Sequence, residues 1–258
     1  MALTNQFTAR RVRVEQVMGT AVSVDLRDPS VDEAALESFF AWLRSVDAAF
    51  STYREDSTVS RIRRDELSVA DAGADFAEVM DLCEQVRQAS GGAFDAWRHD
   101  AAGLDPSGLV KGWSIERGAH ILEIAGAWNF CINAGGDVLT RGSGSPGSGW
   151  RVGIRHPEVG DRVAAVVTVS DSAVATSAEY ERGIHMRAPG GTALSGLLSV
   201  SITGPSLAFA DAYATAAFVM GAAGIEWISR LEGGYEGLVM TAAGRAIWTD
   251  GFDRLRVA

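Results

Sequence analysis

Cysteine, positive charge and long apolar runs are all scarce in this sequence. Cys83 and Cys131 are its only cysteines, which excludes a disulfide-rich scaffold and predicts buried free thiols in a reducing compartment. The net charge of -10 argues against nucleic acid and against anionic membrane surfaces as partners. No apolar run is long enough to span a bilayer, and residues 1–13 lack the apolar segment of a secretion signal. We therefore expect a cytoplasmic protein with no nucleic-acid partner and no membrane partner.

What remains is the composition of a globular protein. The chain has 258 residues, of which 47% are hydrophobic and 22% are charged. This length suits one large domain spanning residues 1–258, or two intimately packed lobes. Segments with the alternation of β-strands are interrupted by several segments with helical periodicity. That order predicts an α+β fold in which mixed sheets pack against several helices.

Local patterns predict the individual elements. Ser30 and Glu33 have the spacing of a capping box, so the first helix is predicted to open at Pro29-Ser30. Apolar residues at helical spacing cover residues 36–46, 76–86, 115–122 and 225–231. Strand patterns cover residues 12–14, 22–26, 129–138, 150–154, 163–169, 196–204, 235–241 and 245–249.

The stretch 104–113 carries the most informative chemistry. Asp105 is followed by a Pro-Ser-Gly turn, by Lys111 and Gly112, and then by a helical pattern with Gly126 at the position of a C-terminal cap. A small-residue turn before a helix exposes backbone N–H groups at the positive end of the helix dipole, and Lys111 adds a full charge. The pattern predicts an anion site, with an ordinary capped turn as the alternative. A phosphate loop is excluded because no Gly-Lys-Ser or Gly-Lys-Thr follows.

A second candidate is the pair Asp211 and Thr215. These residues are four apart in a segment with helical periodicity, so both oxygens project from one face of a helix. A carboxylate, a hydroxyl and a carbonyl are hard-oxygen ligands that suit Mg²⁺ with retained waters. The alternative is an aspartate near a helix N-terminus with a threonine packed behind it.

The sequence around these candidates resembles that of one family. Asp-x-Ser-Gly-x-x-Lys-Gly at residues 105–112 resembles the core signature of the FAD:protein FMN transferases, also called the ApbE or flavin transferase family. Residues 210–221, which contain Asp211 and Thr215, form a second specific match. Shorter matches follow the family's order between residues 18 and 252: Met18-Gly19-Thr20, Ser51-Thr52-Tyr53, Gly92-Ala93-Phe94-Asp95, Asn133-Ala134-Gly135-Gly136-Asp137, Ala175-Thr176-Ser177 and Thr249-Asp250-Gly251-Phe252.

The resemblance implies an ApbE-like fold and a role for each matched residue. A magnesium ion is implied at the carbonyl of Gly108 and at the side chains of Asp211 and Thr215. His185 is the best candidate for a general base, with a structural role as its alternative. Asp137 is a weak site candidate, because a role in the turn alone would explain it. The residues implied to bind FAD are Met18, Tyr53, Ala93, Phe94, Asp95, Asp105, Lys111 and Thr176.

The chain departs from the family pattern at three places. Ala188 stands where the family has an aspartate that can orient the histidine. Ala214 stands where some relatives carry a second acidic ligand, so the metal is expected to bind more weakly or to keep more water. The segment 96–100 is shorter than in the longest members, which leaves the contacts on the adenine side of FAD open.

The reaction implied by the resemblance is a Mg-dependent transfer of FMN from FAD. A threonine or serine hydroxyl of a client flavoprotein attacks the FMN phosphorus, and AMP leaves. FAD is then a substrate, and the client flavoprotein is the second partner. One alternative uses water as the acceptor, which hydrolyses FAD to FMN and AMP. The other alternative is a non-catalytic protein that binds or carries FAD.

Overall fold

The computed structural model describes residues 10–97, 103–160, 162–178 and 196–257. Within these ranges, no helix is both long enough and apolar enough to cross a membrane.

The helices are α1 (Glu33–Phe50), α2 (Thr58–Arg63), α3 (Ala74–Ala89), α4 (Ser107–Ile124), α5 (Leu207–Met220), α6 (Ala222–Ile228) and α7 (Asp250–Leu255), with a 3₁₀ turn at Val69–Asp71. The strands are β1 (Arg11–Val17), β2 (Thr20–Leu26), β3 (Phe130–Ala134), β4 (Asp137–Arg141), β5 (Trp150–Arg155), β6 (Val163–Val169), β7 (Ala173–Ala178), β8 (Leu197–Gly204), β9 (Glu236–Thr241) and β10 (Ala246–Trp248).

Eight strands form one antiparallel sheet in the order β1-β2-β3-β4-β7-β8-β9-β10. The strands β5 and β6 leave this sheet between β4 and β7 and pair with each other in a second, two-stranded sheet. Both faces of the large sheet are therefore covered near its middle, where β4 and β7 are almost entirely buried.

Alternation along the central strands distributes side chains between two cores. Leu139 on β4 and Val239 on β9 point into the core shared with α1, α4 and α5. Their neighbours Val138 and Leu238 point into the opposite core, which β5, β6 and Phe252 of α7 close. This period of two is what a strand with two covered faces requires.

The helix α5 is buried on more than one side. Its residues Ala210 and Ala214 belong to the core against the sheet. Ala208, Ala212 and Ala216, at a spacing of four, belong to a third core that α1, α3 and α4 build on the far side. Small residues on both faces let α5 lie between the sheet and the outer helices.

The α+β fold predicted from the sequence is confirmed, and the predicted hairpins and helices are observed within a few residues. The predicted cap of α1 is wrong. The helix begins at Glu33 and its N-cap is Asp32, whose carboxylate accepts the N–H of Ala35 at 3.0 Å. Ser30 lies too far before the helix to reach those first N–H groups, so Asp32 takes the capping role that the sequence pattern gave to Ser30.

The two cysteines are free thiols, as predicted, but they differ in exposure. Cys83 is buried on α3, whereas Cys131 on β3 is partly exposed. Burial raises the pKa of the Cys83 thiol to about 12, and the nearby carboxylates of Asp95 and Asp105 add to the shift. Burial also raises the pKa of Cys131 to about 12. Both thiols therefore stay protonated and unreactive near neutral pH.

Candidate active site

The start of α4 differs from the prediction. The helix begins at Ser107, so Gly108, Lys111 and Gly112 lie inside its first turns and not in a turn before it. The N–H of Ser107 donates to the Asp105 carboxylate at 3.1 Å. The N–H groups of Leu109 and Val110, in the first turn of the helix, donate to the carbonyl of Pro106. The N–H groups of Ser107, Leu109 and Val110 are therefore bonded within the chain, and Lys111 is the cation that the stretch offers. The anion site itself stays a prediction from the sequence.

Lys111 meets two buried carboxylates from distant parts of the chain. Its ammonium nitrogen lies 2.6 Å from an oxygen of Asp137 and 4.0 Å from an oxygen of Asp211. Asp137 is 1% exposed and Asp211 is 0% exposed, whereas the Lys111 side chain keeps 23% exposure. The lysine therefore reaches from a buried acidic pair toward solvent, which is where a ligand can approach it.

The approach of α4 to α5 depends on Gly112. A Cβ atom at this position would lie 2.5 Å from the carbonyl oxygen of Leu207 and 2.7 Å from the Cα of Ala208. Only glycine allows the two helices to come this close. Lys111 and Asp211 face each other because of this contact.

Hydroxyl groups of β7 and β8 extend the site beneath Asp137. The N–H of Thr176 donates to the second Asp137 oxygen at 3.0 Å, and the Thr176 hydroxyl lies 2.8 Å from that of Ser201. The Ser177 hydroxyl lies 3.1 Å from the hydroxyl of Thr215 on α5. Thr176 and Ser177, which are neighbours on β7, thus contact Asp137 and Thr215 respectively.

The turn between β1 and β2 adds Met18 to the same group. Met18 has a positive φ of 55° at the tip of this hairpin. The Ser114 hydroxyl donates to the carbonyl of Lys111 at 2.8 Å, and its oxygen lies 3.4 Å from the Met18 sulfur. Met18 therefore lies against α4 one turn beyond Lys111.

A second group of predicted residues surrounds Asp105. The N–H of Asp105 donates to the carbonyl of Ala96 at 2.7 Å, which places the segment with Asp95 beside it. Phe94 is buried at 4% exposure, and Ala93 is partly buried against the same core. Ala93, Phe94 and Asp95 are therefore held near Asp105, which lies just before the first residue of α4.

Tyr53 is tied to this second group by an arginine. The Arg63 guanidinium donates to the carbonyl of Leu104 at 2.7 Å and to that of Thr52 at 3.3 Å. The Tyr53 side chain itself is 95% exposed. The exposed Tyr53 ring, on the segment that Arg63 ties to Leu104, is available to stack on a planar ligand.

The predicted metal ligands lie on two neighbouring helices, α4 and α5. Asp211 and Thr215 lie one turn apart on α5 and are both buried, and Gly108 is buried on α4 one turn before Lys111. Among the described residues, no group of three or more histidines, cysteines or acidic residues could hold a metal ion. One carboxylate with a hydroxyl and a carbonyl still fits Mg²⁺, which keeps several waters and uses substrate oxygens. The ammonium at 4.0 Å shows that the Asp211 carboxylate tolerates a cation on this side.

His185 and Ala188 lie outside the described residues. The role predicted for His185 therefore remains a prediction from the sequence.

A comparison with known proteins identifies the family. The model of the ApbE family matches residues 18–99 and 96–239 of this chain. The chain belongs to the ApbE family. This confirms the family predicted from the sequence motifs.

Named relatives and solved structures of ApbE proteins agree with this assignment. A Haemophilus influenzae sequence named FAD:protein FMN transferase is 24% identical over 274 residues, covering 80% of this chain and 79% of that protein. The structure of the flavin transferase ApbE from Vibrio cholerae has a TM-score of 0.81 and 21% identity, covering 96% of this chain and 100% of that chain. The ApbE protein of Thermotoga maritima has a TM-score of 0.84 and 20% identity, covering 97% and 100%. The predicted ApbE-like fold is therefore confirmed.

Sequence reasoning missed several residues that build this ApbE site. Arg63, Ser114, Glu116 and Ser177 each join two segments through side-chain hydrogen bonds. Only Ser177 lay within a matched motif, next to Thr176. Arg63, Ser114 and Glu116 each have a partner 41 to 96 positions away in sequence, and no local pattern could reveal these contacts.

Glu116 on α4 holds the beginning of α5. Its carboxylate accepts the N–H of Leu207 at 2.7 Å and the hydroxyl of Ser206 at 3.2 Å. Burial raises the pKa of Glu116 above its usual value of 4.5, and the hydrogen bonds from the α5 start oppose the shift. Glu116 thus fixes the position of the helix that carries Asp211.

We predict that Glu116→Ala lowers the free energy of unfolding by about 1 to 2 kcal/mol, because the first N–H groups of α5 lose their acceptor.

Glu116→Gln keeps an acceptor but removes the titrating group. Since the folded pKa is raised, wild-type stability falls as pH rises from the unfolded value through the folded value. Urea unfolding at several pH values checks this. Over that pH range, the free energy of unfolding of Glu116→Gln should fall less than that of the wild type. The same dependence of this free energy on pH in both proteins would contradict the prediction.

Proposed function

We propose that this ApbE protein is a FAD:protein FMN transferase. It takes FAD as donor, transfers FMN to a threonine or serine hydroxyl of a client flavoprotein, and releases AMP. The observation that carries the proposal is the position of Lys111 between the buried carboxylates of Asp137 and Asp211. The N–H of Thr176 donates to the same Asp137 carboxylate, and Thr215 lies one turn from Asp211 on α5. The names of the relatives support the same activity.

Lys111 is suited to the charge of a diphosphate. Its ammonium is a positive charge beside the carboxylates of Asp137 and Asp211, in a chain with a net charge of -10. A phosphoryl group in transfer carries charge on its outer oxygens, and fixed donors that neutralise this charge lower the barrier. We assign Lys111 to the diphosphate of FAD, and the hydroxyl of Thr176 to a phosphate oxygen.

A magnesium ion would be held by Asp211, Thr215 and the carbonyl of Gly108. When bound, the ion supplies positive charge to the diphosphate oxygens and to the leaving AMP. The protein's share is the placement of these oxygens, which the α4–α5 contact at Gly112 controls. Because Ala214 supplies no second carboxylate, we expect weak metal affinity.

The two ends of the dinucleotide are assigned by residue type. We assign the isoalloxazine ring of FAD to Met18 and to the exposed ring of Tyr53. Asp105 would accept a ribose hydroxyl or a ring N–H, with Ala93, Phe94 and Asp95 along the same wall. His185 is our candidate for taking the proton of the client hydroxyl. The loss of an orienting carboxylate at position 188 is tolerable, since phosphoryl transfer depends mainly on positioning and charge.

The test incubates the purified protein with FAD and Mg²⁺ and measures AMP by chromatography. A second arm co-expresses it with flavoproteins of the same organism and looks for flavin fluorescence that survives a denaturing gel. AMP together with covalent flavin on a client supports the transferase. AMP with free FMN and no modified client indicates a hydrolase. FAD that stays bound but intact in both arms indicates a carrier and overturns the proposal.

A further inference from the structure

Asp137 binds two different parts of the site with its two carboxylate oxygens. One oxygen accepts the N–H of Thr176 at 3.0 Å, and the other lies 2.6 Å from the Lys111 nitrogen. The side chain is 1% exposed. A buried carboxylate held on both sides has little freedom to move.

The contact with Thr176 follows from the strand pairing. The pairing of β4 with β7 runs from Leu139 opposite Ala173 to Val138 opposite Val174, and β4 begins one residue earlier, at Asp137. β7 continues past this point, so the N–H of Thr176 has no β4 carbonyl opposite it. The Asp137 carboxylate replaces that carbonyl, as required for a buried backbone N–H.

The contact with Lys111 follows from charge. A buried carboxylate is costly unless a cation accompanies it. Lys111 supplies the cation, and it lies closer to Asp137 than to Asp211. A lysine side chain has a flexible stem of four carbons, so an anchored carboxylate is an effective restraint on where its ammonium lies.

The composition of the chain gives a second, independent indication that the position of the Lys111 ammonium matters. Of the 23 lysines and arginines in the sequence, Lys111 is the only lysine. Elsewhere the chain uses the planar guanidinium, which is too broad to serve as a point charge. At position 111 it uses the compact ammonium, in the gap between Asp137 and Asp211.

We propose that Asp137 is the positioning residue of this site: it holds the Lys111 ammonium beside Asp211, where the diphosphate of FAD is neutralised. The proposal rests on the proposed function for the identity of the ligand. The restraint on Lys111 itself rests only on the contacts described above.

A double-mutant cycle tests whether Asp137 acts through Lys111. Asp137→Asn keeps an acceptor for the Thr176 N–H but loses the charge that holds the lysine. We expect Asp137→Asn to slow AMP release from FAD by about 100-fold per folded molecule. In a Lys111→Met background the same change should cost less than about 3-fold, because the lysine to be positioned is gone. If the loss of AMP-release rate in the double variant equals the product of the losses in the two single variants, the proposal is overturned.

A spectroscopic readout needs no activity. Because Lys111 is the only lysine, protein made with ¹³C-lysine gives one side-chain methylene signal next to the nitrogen, without further assignment. In the wild type, we expect two distinct proton shifts for this methylene, as in a restrained side chain. In Asp137→Asn they should merge toward the value of a free lysine. Unchanged, distinct shifts in the variant would overturn the proposal.

Asp28→Asn is the matched control. The Asp28 carboxylate also accepts backbone N–H groups, from Trp128 at 2.7 Å and Asn129 at 2.6 Å. The same change there should leave both the rate of AMP release and the lysine signal as in the wild type. If the wild type itself releases no AMP, the proposed function fails, while the lysine signal still decides whether Asp137 restrains Lys111.

Discussion

Replacing Asp211 by asparagine is expected to slow AMP release from FAD by about 1000-fold, the largest effect on activity that we predict. The Asp211 carboxylate is fully buried and lies 4.0 Å from the Lys111 nitrogen. Asparagine has the same shape but cannot supply the negative charge that a divalent ion requires. The measurement is the initial rate of AMP release over a range of Mg²⁺ concentrations. Thermal unfolding confirms that the variant is folded.

The matched control for Asp211 is Asp253→Asn, which changes an exposed carboxylate on α7. Its rate should equal that of the wild type. If Asp211→Asn stays within about threefold of the wild type at every Mg²⁺ concentration, Asp211 is no metal ligand and its place in the proposed function is lost.

Gly112→Ala is expected to give the largest loss of stability. The added Cβ would meet backbone atoms of α5 at 2.5 and 2.7 Å, which no change of side-chain rotamer can relieve. Overpacking of this kind costs about 2 to 3 kcal/mol, which corresponds to a fall in melting temperature of roughly 4 to 12 °C for a chain of this size. Activity should fall by more than the folded fraction, since α4 and α5 must separate and carry Lys111 away from Asp211.

Gly153→Ala provides the comparison for Gly112. Its Cβ would lie 3.6 Å from a Val163 side chain, an ordinary contact, and the residue is exposed on β5. Calorimetry should find its melting temperature close to that of the wild type. Equal melting temperatures for the two variants would mean that the helices are not in tight contact at position 112.

Local elements could be predicted from the sequence because their signals are local. The β1–β2 hairpin and the β9–β10 hairpin each combine alternating strands with a short turn. The end of α4 was also predictable, since Gly126 has a positive φ of 89° just beyond the helix. Caps were less predictable. Both Ser30 and Asp32 are suitable residue types for an N-cap, and in the folded chain the helix begins after Asp32.

The residues of the candidate site could be predicted from the sequence, but the contacts between them could not. Asp105, Lys111, Asp211 and Thr215 were found from motifs and helical spacing. The pairing of Lys111 with Asp137 could not be found this way, because it depends on how α4 packs against the end of β4 in the folded chain. The link from Glu116 to Leu207 spans 91 positions, and it too exists only in the folded chain.

A single domain over residues 1–258 remains a prediction. It is supported by shared packing, since Met18, Trp42 and Tyr213 contact both of the cores that flank α5.

The alanines of α5 have a consequence for redesign of the protein. Two sides of this helix carry alanines that are buried in two different cores, and the helix also carries the buried Asp211 and Thr215. A larger side chain on either packed side would push the whole helix, because close-packed interiors transmit displacement instead of absorbing it. Redesign of the proposed metal site should therefore leave these alanines in place, and Ala214 is one of them.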